Sequence, residues 1–160
     1  MAIDQIAFRH AMTQFGSGVT IPVTVDDAGQ PRGFTANSFC SVAMDPPLVL
    51  VCLAHGAESY PVFRDAQRYA IHVLGADQGP VALRFAEKRT DKFEDDQWTT
   101  GADGLPELRG ALARVSCEAH AVYDGGDHAI LVGRVVEAAV DDMEGRPLLY
   151  FRRKFLDAAA

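Results

Sequence analysis

The sequence is poor in cysteine, with Cys40, Cys52 and Cys117 alone in 160 residues. Their number is odd, their spacing wide and no Cys-x-x-Cys pair occurs, so neither a disulfide framework nor a zinc site is expected. All three read as small buried residues. His10, His55, His72, His120 and His128 are scattered, none at metal-ligand spacing from a second ligand-type residue, and no metal is expected. No apolar run approaches the roughly 18–20 residues that cross a bilayer. The opening Met1-Ala2-Ile3-Asp4 lacks the basic-then-apolar layout of a secretory signal. The expectation is a cytoplasmic protein with no membrane partner. Basic charge is scarce as well: 15 Lys and Arg stand against 22 Asp and Glu, a net −7. That balance argues against nucleic acid as a partner. Gly-x-Gly-x-x-Gly, Gly-x-Ser-x-Gly and the Walker loop are all missing, so a dinucleotide here is not held in a Rossmann crevice. Asp95-Asp96 and Asp141-Asp142 lie in loops away from any histidine and read as solvated.

What remains is an ordinary globular composition, 48% hydrophobic and 23% charged, expected to form one domain over residues 1–160. Phe8, Ala11, Met12 and Phe15 recur at helical spacing behind Asp4, a residue type suited to an N-cap. Val19, Ile21, Val23 and Val25 alternate with polar residues as in a half-buried strand, and Pro22 places that strand at an edge or a bulge. Leu48–Leu53 reads as a buried strand, Ser59-Tyr60-Pro61 as the start of a short helix capped by Ser59, Tyr69–Leu74 as a strand and Asp77–Phe85 as a helix. Residues Thr90–Glu107 are polar and read as a long loop. Val115–Tyr123 and His128–Ala139 flank Asp124-Gly125-Gly126-Asp127 as a hairpin, and Leu148–Phe151 is a short last strand. Six or seven consecutive, turn-linked strands with three short helices predict a mainly β, antiparallel barrel.

One polar, hydroxyl-rich segment stands out: Gly33-Phe34-Thr35-Ala36-Asn37-Ser38-Phe39-Cys40-Ser41-Val42, then Asp45-Pro46-Pro47. Gly18-Val19-Thr20 precedes it. Phe85-Ala86, Asp91-Lys92-Phe93, Leu105-Pro106-x-Leu108, Gly126-Asp127-His128 and Pro147-Leu148-Leu149-Tyr150 follow in order. This ordered set, spread over nearly the whole chain, resembles the short-chain flavin reductases. The resemblance implies an antiparallel Greek-key split β-barrel with a few short α-helices. It implies FMN or FAD as the flavin and NADH or NADPH as the hydride donor, with reduced flavin supplied to a separate monooxygenase or halogenase. It also implies a homodimer with sites near the interface.

By the same resemblance Gly33, Thr35, Ala36, Asn37, Ser38 and Ser41 lie against the flavin, Cys52, Leu53 and Ala54 beside its ring, and Phe85, Ala86, Phe93 and Tyr150 in matching motifs around it. Ser59 and Lys92 are expected at the phosphate, and His128 at the nicotinamide. On chemistry alone Thr35 and Ser38 suit ring-edge contacts. Without the resemblance Ser59 reads as a plain helix cap and Lys92 as an exposed loop lysine. The chain departs from the family pattern at His55-Gly56-Ala57-Glu58, where an Asn-rich run is usual, and at Pro22. It departs again at Phe151-Arg152-Arg153-Lys154, a basic tail read either as closing over the flavin or nucleotide or as facing solvent. Two alternatives stand beside the reductase: a flavin-binding module without NAD(P)H turnover, and a pyridoxamine-phosphate oxidase relative, which expects a basic cluster that is not found around Thr35–Ser41.

Overall fold

The computed structural model describes residues 3–141 and 144–157. Helix α1 (Gln5–Met12) begins where Asp4 Oδ1 accepts from the Ile6 N–H at 2.9 Å, the N-cap that the sequence predicts. Strands β1 (Ser17–Gly18) and β2 (Thr20–Val25) follow. The Asp26 carboxylate accepts from the N–H groups of Ala28 and Gln30, and Gly29 at φ 75° closes the turn into β3 (Pro31–Gly33). Next come β4 (Cys40–Met44), β5 (Pro47–Ala54), α2 (Tyr60–Asp65) and β6 (Arg68–Val73). A single 3₁₀ turn then leads into α3 (Gly79–Ala86). The chain ends with β7 (Trp98–Thr100), β8 (Pro106–Leu108), β9 (Ala113–Asp124), β10 (His128–Val140), β11 (Leu148–Phe151) and β12 (Lys154–Asp157).

Seven strands form one antiparallel sheet in the order β3-β2-β6-β9-β10-β5-β4. Its two edges, β3 and β4, are joined by residues 34–39 alone. Flat, seven strands would hold those edges about 29 Å apart at ~4.8 Å per step. The seven Cα–Cα steps from Gly33 to Cys40 reach about 25 Å at full stretch, and the segment is not fully stretched, because Ala36 bridges to Thr20. The sheet therefore curls into a barrel with a seam, and residues 34–39 cross it. A smaller sheet, β1-β11-β12, and the β7–β8 hairpin complete the fold. One core cluster centres on Ile21, Leu74, Phe85 and Leu108, and a second, under the seam, on Phe34, Leu53, Phe63 and Tyr69.

Several expectations need correction. Pro22 lies not on an edge strand but on β2, between β3 and β6. Its carbonyl accepts from Phe34 N–H, so its missing donor faces the side where β3 has already ended at Gly33. The polar stretch Thr90–Glu107 contains the β7–β8 hairpin, because Phe93, Trp98, Leu105 and Leu108 pack on the core despite their hydrophilic neighbours. Asp95 is not simply solvated: it pairs with Arg84 and accepts from the Gln97 N–H. Asp142 lies outside the described residues, and Asp141 is exposed. Cys40 is exposed and Cys52 half-buried; Cys117 alone is buried. The Phe151–Lys154 tail is a tight turn into β12, with Arg152 and Arg153 at φ 48° and 64°. It docks on α1, where Arg152 N–H donates to Thr13 O and its guanidinium to Gln14 Oε1. The helix ends at Met12, before Phe15, and its apolar stripe lies open, with Phe8 and Met12 at 47 and 55% exposure and Phe15 beyond its end at 78%.

His72 is fully buried on β6. Its Nε2 accepts from the Leu108 N–H at 3.2 Å, so the ring proton sits on Nδ1, which faces Ile21 O at 3.4 Å. Burial, helped by the Arg114 guanidinium, pushes its pKa from 6.5 down to about 4. Above pH 6.5 the ring is neutral in both folded and unfolded chains and contributes no pH dependence. Below it only the unfolded chain takes the proton. Stability is therefore expected to fall by about 3 kcal/mol as pH drops from 6.5 to 4. Urea unfolding across that range checks this, and His72→Gln removes this part of the slope. An unchanged slope in the variant contradicts the assignment.

Candidate functional site

A cleft of 340 Å³ opens at the seam, within the usual range of small-molecule sites. Three stretches of chain build its walls: Phe34–Ser38 from the crossing segment, Cys52–Ala54 from the end of β5, and Phe85–Lys88 from the end of α3 and just beyond. Ala57, Glu58, Ser59, Lys92 and His128 complete it.

The crossing segment is pinned at three points. Ala36 and Thr20 exchange backbone hydrogen bonds at 2.9 and 2.8 Å. Thr35 Oγ1 donates to Ala82 O at 2.5 Å, tying the segment to α3. Ser38 Oγ accepts from the Cys52 N–H at 2.9 Å and reaches Cys52 O at 3.3 Å, tying it to β5. The hydroxyl protons of Thr35 and Ser38, expected to face a ring edge, are thus engaged by the chain itself. They fix the wall, and the donors left to a ligand are backbone groups. Among the described residues the N–H groups of Asn37 and Ser38 have no hydrogen-bond partner.

Gly33 matters through what it omits. A Cβ there would sit 2.8 Å from Phe85 Cε1 and 3.1 Å from Pro22 O. Without it the Phe85 ring packs close against the strand, and Phe85 lines the cleft. Lys92 Nζ donates to Phe85 O at 3.2 Å and lies 5.9 Å from the Phe85 ring centroid. That carbonyl belongs to the negative end of α3, a favourable place for a cation. Partial burial lowers the Lys92 pKa, while Glu58 opposes the shift. Ser59 takes the expected N-cap position of α2, where its carbonyl accepts from the Phe63 N–H at 3.0 Å, but its buried side chain makes no capping hydrogen bond.

His128 is the first residue of β10 and pairs with Ala54, the last of β5. The antiparallel register therefore delivers it to the mouth of the cleft. The Asp124–Asp127 turn, with Gly126 at φ 84°, brings it there. Its Nδ1 lies 2.6 Å from Asp127 Oδ1, and this contact holds the Asp127 carboxyl below its usual range. With Nδ1–H donating to the carboxylate, Nε2 is left for a ligand.

The fold thus gathers Thr35, Ala36, Asn37, Ser38, Cys52, Leu53, Ala54, Ser59, Phe85, Ala86, Lys92 and His128 around one space. Gly33 and Phe93 line an adjoining depression instead. Ser41, exposed on β4 opposite Val49, and Tyr150, packed on Phe155 in β11, lie outside the cleft lining. Phe34, Ala57, Glu87 and Lys88 also line the cleft and were not singled out from sequence. Phe34 stands inside the hydroxyl-rich run from Gly33 to Val42, and Glu87-Lys88 directly follow Phe85-Ala86, so adjacency to the motifs is the available signal.

A slot with apolar walls from Phe34, Leu53 and Phe85, backbone donors on the crossing segment, and Ser59 and Lys92 at its other end beside Glu58 suits a flat aromatic ring that carries a polar tail. The comparisons with known proteins agree. The model of the flavin reductase like domain matches residues 12–159. The chain is 44% identical to an actinorhodin polyketide dimerase of Streptomyces coelicolor over 97% of its length and 87% of that protein. It is 43% identical to SmoA, an FMN reductase (NADH) of Agrobacterium fabrum, over 90% of its length and 80% of that protein. Among solved structures, BorF, the flavin reductase component of a bacterial two-component tryptophan halogenase, superimposes with a TM-score of 0.87 at 36% identity, covering 96% of this chain and 98% of that one. SgcE6 of Streptomyces globisporus, an NADH:FAD oxidoreductase solved with NAD and FAD fragments, gives 0.91 at 34% identity, covering 98% and 93%. With the family model spanning nearly its whole length, this chain belongs to the flavin reductase like family.

Proposed function

We propose that this chain is a single-domain NAD(P)H-dependent flavin reductase whose seam cleft binds the flavin and whose His128 receives the nicotinamide. The observation that carries this reading is the convergence of the crossing segment, the end of β5 and His128 on one cleft. When both nucleotides are bound, the nicotinamide supplies a hydride to the flavin, and no protein acid or base is needed for that step. The chain's own part is geometric. Phe34, Leu53 and Phe85 offer the ring apolar walls, and small Ala36 and Ala54 let it approach the backbone. The free N–H groups of Asn37 and Ser38 suit the ring's acceptor edge. His128, turned by Asp127, would present Nε2 to the carboxamide and orient the nicotinamide toward the flavin site. Ser59 and Lys92 face the phosphate.

The test is oxidation of NADH and NADPH by the purified protein with FMN, FAD or no flavin added. Flavin-dependent turnover is expected, and flavin binding without turnover contradicts the reading. Likeness to a polyketide dimerase carries a second reading, in which the chain acts in polyketide dimerisation. Turnover with free flavin and no polyketide favours the first.

Lys92→Gln is expected to weaken FMN binding about tenfold, the loss of one charge-assisted hydrogen bond. Riboflavin, which has no phosphate, should be unaffected. Equal weakening of both overturns the phosphate role of Lys92.

The reductase reading brings with it a separate oxygenase or halogenase that uses the reduced flavin, as in the two-component system of BorF. It also brings a cytoplasmic location, where reduced nicotinamide nucleotides are regenerated. A homodimer is part of the proposal. It is supported by α1, which buries none of its residues against its own chain, and by Val42, Met44, Val136 and Val140, which stay exposed on the sheet. Light scattering is expected to give twice 17.3 kDa, and the monomer mass contradicts a dimer.

A further inference from the structure

A depression of 440 Å³ lies between α1 and the turn that joins β11 to β12. Arg9, His10, Thr13 and Gln14 line it on one side and Arg152 and Arg153 on the other, and none of these residues lines the seam cleft. We propose that this depression binds a small polyanion, a molecule carrying two or more phosphate or carboxylate groups, and that the bound anion clamps α1 to the barrel.

Charge comes first. The chain is acidic, with a net −7, and elsewhere its arginines sit on carboxylates, as Arg32 does on Asp26, Arg89 on Asp91 and Arg114 on Asp103. Among the described residues Arg9, Arg152 and Arg153 have no carboxylate partner. No Asp or Glu lines the depression either. Three guanidinium groups around one space without a counter-charge repel one another, and a polyanion between them turns that repulsion into charge-assisted hydrogen bonds.

The backbone points the same way. Arg152 and Arg153 stand at φ 48° and 64°, a conformation usually taken by glycine or asparagine. Two long cationic side chains occupy it here, and backbone strain of this kind collects at ligand sites. Arg152 is already oriented. Its guanidinium donates to Gln14 Oε1 at 2.8 and 3.1 Å and lies 4.9 Å from the Phe151 ring centroid. Its Nη1 keeps both donors, and holding the side chain in place lowers the ordering cost of binding.

The lining selects the ligand. Ile6 is its one aliphatic residue, and it holds no Phe, Tyr or Trp on which a base or a flavin ring could stack. A compact hydrophilic anion fits, and a nucleotide does not. Helix α1 gains most from such a ligand, since it buries none of its own residues. It is tied to the turn only just past its end, through Thr13 O and Gln14. Arg9 and His10 lie one turn earlier, so an anion shared with Arg153 adds a second tie. Phe8 and Met12, on another row of the helix, stay free for a partner protomer.

The experiment is calorimetric titration of the wild-type protein with inorganic pyrophosphate and with citrate, and the tighter of the two says whether phosphate or carboxylate is the better ligand. At least one is expected to bind with a Kd of about 0.1 mM, some tenfold tighter than inorganic phosphate, because only a polyanion reaches both walls. Arg9→Gln/Arg153→Gln should weaken binding at least about tenfold. Both residues are exposed, and an unchanged melting temperature without ligand shows that the variant is folded. Arg109→Gln, which removes an exposed arginine outside the depression, should leave binding unchanged. At saturation, amide hydrogen exchange in α1 is expected to slow about tenfold in the wild type and not in the double variant. A Kd above about 10 mM for both anions overturns the proposal, as does equal weakening in Arg109→Gln and the double variant. Binding that leaves exchange in α1 unchanged overturns the clamp. A hexaglutamate peptide that binds at least about tenfold tighter than either anion also overturns the proposal, and gives this face to an acidic protein partner.

Discussion

Replacing His128 with alanine is expected to lower kcat/KM for NADH by about 10- to 100-fold, while the dissociation constant for oxidised flavin changes by less than about threefold. The size follows from losing one positioned hydrogen bond to the nicotinamide, and with it part of the stacking geometry. The split between the two quantities follows from position. His128 stands at the mouth, opposite Ala54, and its Nδ1 is already committed to Asp127. The flavin walls come from other elements, the crossing segment, β5 and α3. Asp127→Asn should act in the same direction and more weakly, because the imidazole stays but loses the charged partner that sets its tautomer. Equal loss of NADH use and flavin binding in His128→Ala, or no loss of either, removes the histidine from the nicotinamide site.

Gly133→Ala is expected to destabilise the protein by about 3 kcal/mol, the upper part of the range for overpacking a well-filled core. Gly133 sits at a register shift in β10, and a Cβ there would lie 2.5 Å from Tyr69 Oη and 2.8 Å from Cys117 Cβ. Both neighbours are buried and have nowhere to move. Tyr69 adds its own term, since its hydroxyl is buried with no hydrogen-bond partner and burial pushes its pKa up. Tyr69→Phe alone should be neutral or stabilising by up to about 1 kcal/mol, because it removes an unpaired polar group. Combined with Gly133→Ala it should recover part of the loss, a non-additivity expected of residues in contact. Urea midpoints for the two single variants and the double variant measure all three terms. An unchanged midpoint in Gly133→Ala contradicts this packing.

Much of the architecture is visible in local chemistry. The Asp-Gly-Gly-Asp turn between β9 and β10 and the Asp4 cap depend on neighbours in sequence, whereas β2, read from its alternation as half-buried, is buried on both faces, with Thr20 and Thr24 inside along with Ile21 and Val23. The family resemblance brought most of the cleft residues together, including Lys92 and His128, which composition alone leaves as a loop lysine and a strand histidine. What stayed hidden depends on distant contacts. The β7–β8 hairpin is held by Trp98 meeting Phe85 and His72 across the core. The turn into β12 uses two arginines at positive φ, where glycine or asparagine is the usual signal. The hydroxyls of Thr35 and Ser38 looked available because their partners, Ala82 O and the Cys52 backbone, lie 47 and 14 residues away. Gly33 and Phe93 belong to the right neighbourhood but to the depression adjoining the cleft, a distinction that only the spatial arrangement makes.

The most direct test of the central claim is an anaerobic single turnover: oxidised flavin and NADH mixed with the wild-type protein and with His128→Ala, following loss of the oxidised-flavin absorbance. The account predicts rapid bleaching with the wild type, one nicotinamide oxidised per flavin reduced, and bleaching slowed about 10- to 100-fold in the variant at equal flavin occupancy. A wild-type protein that binds flavin but bleaches it no faster than NADH alone would contradict the account and leave a flavin-binding module in place of a reductase.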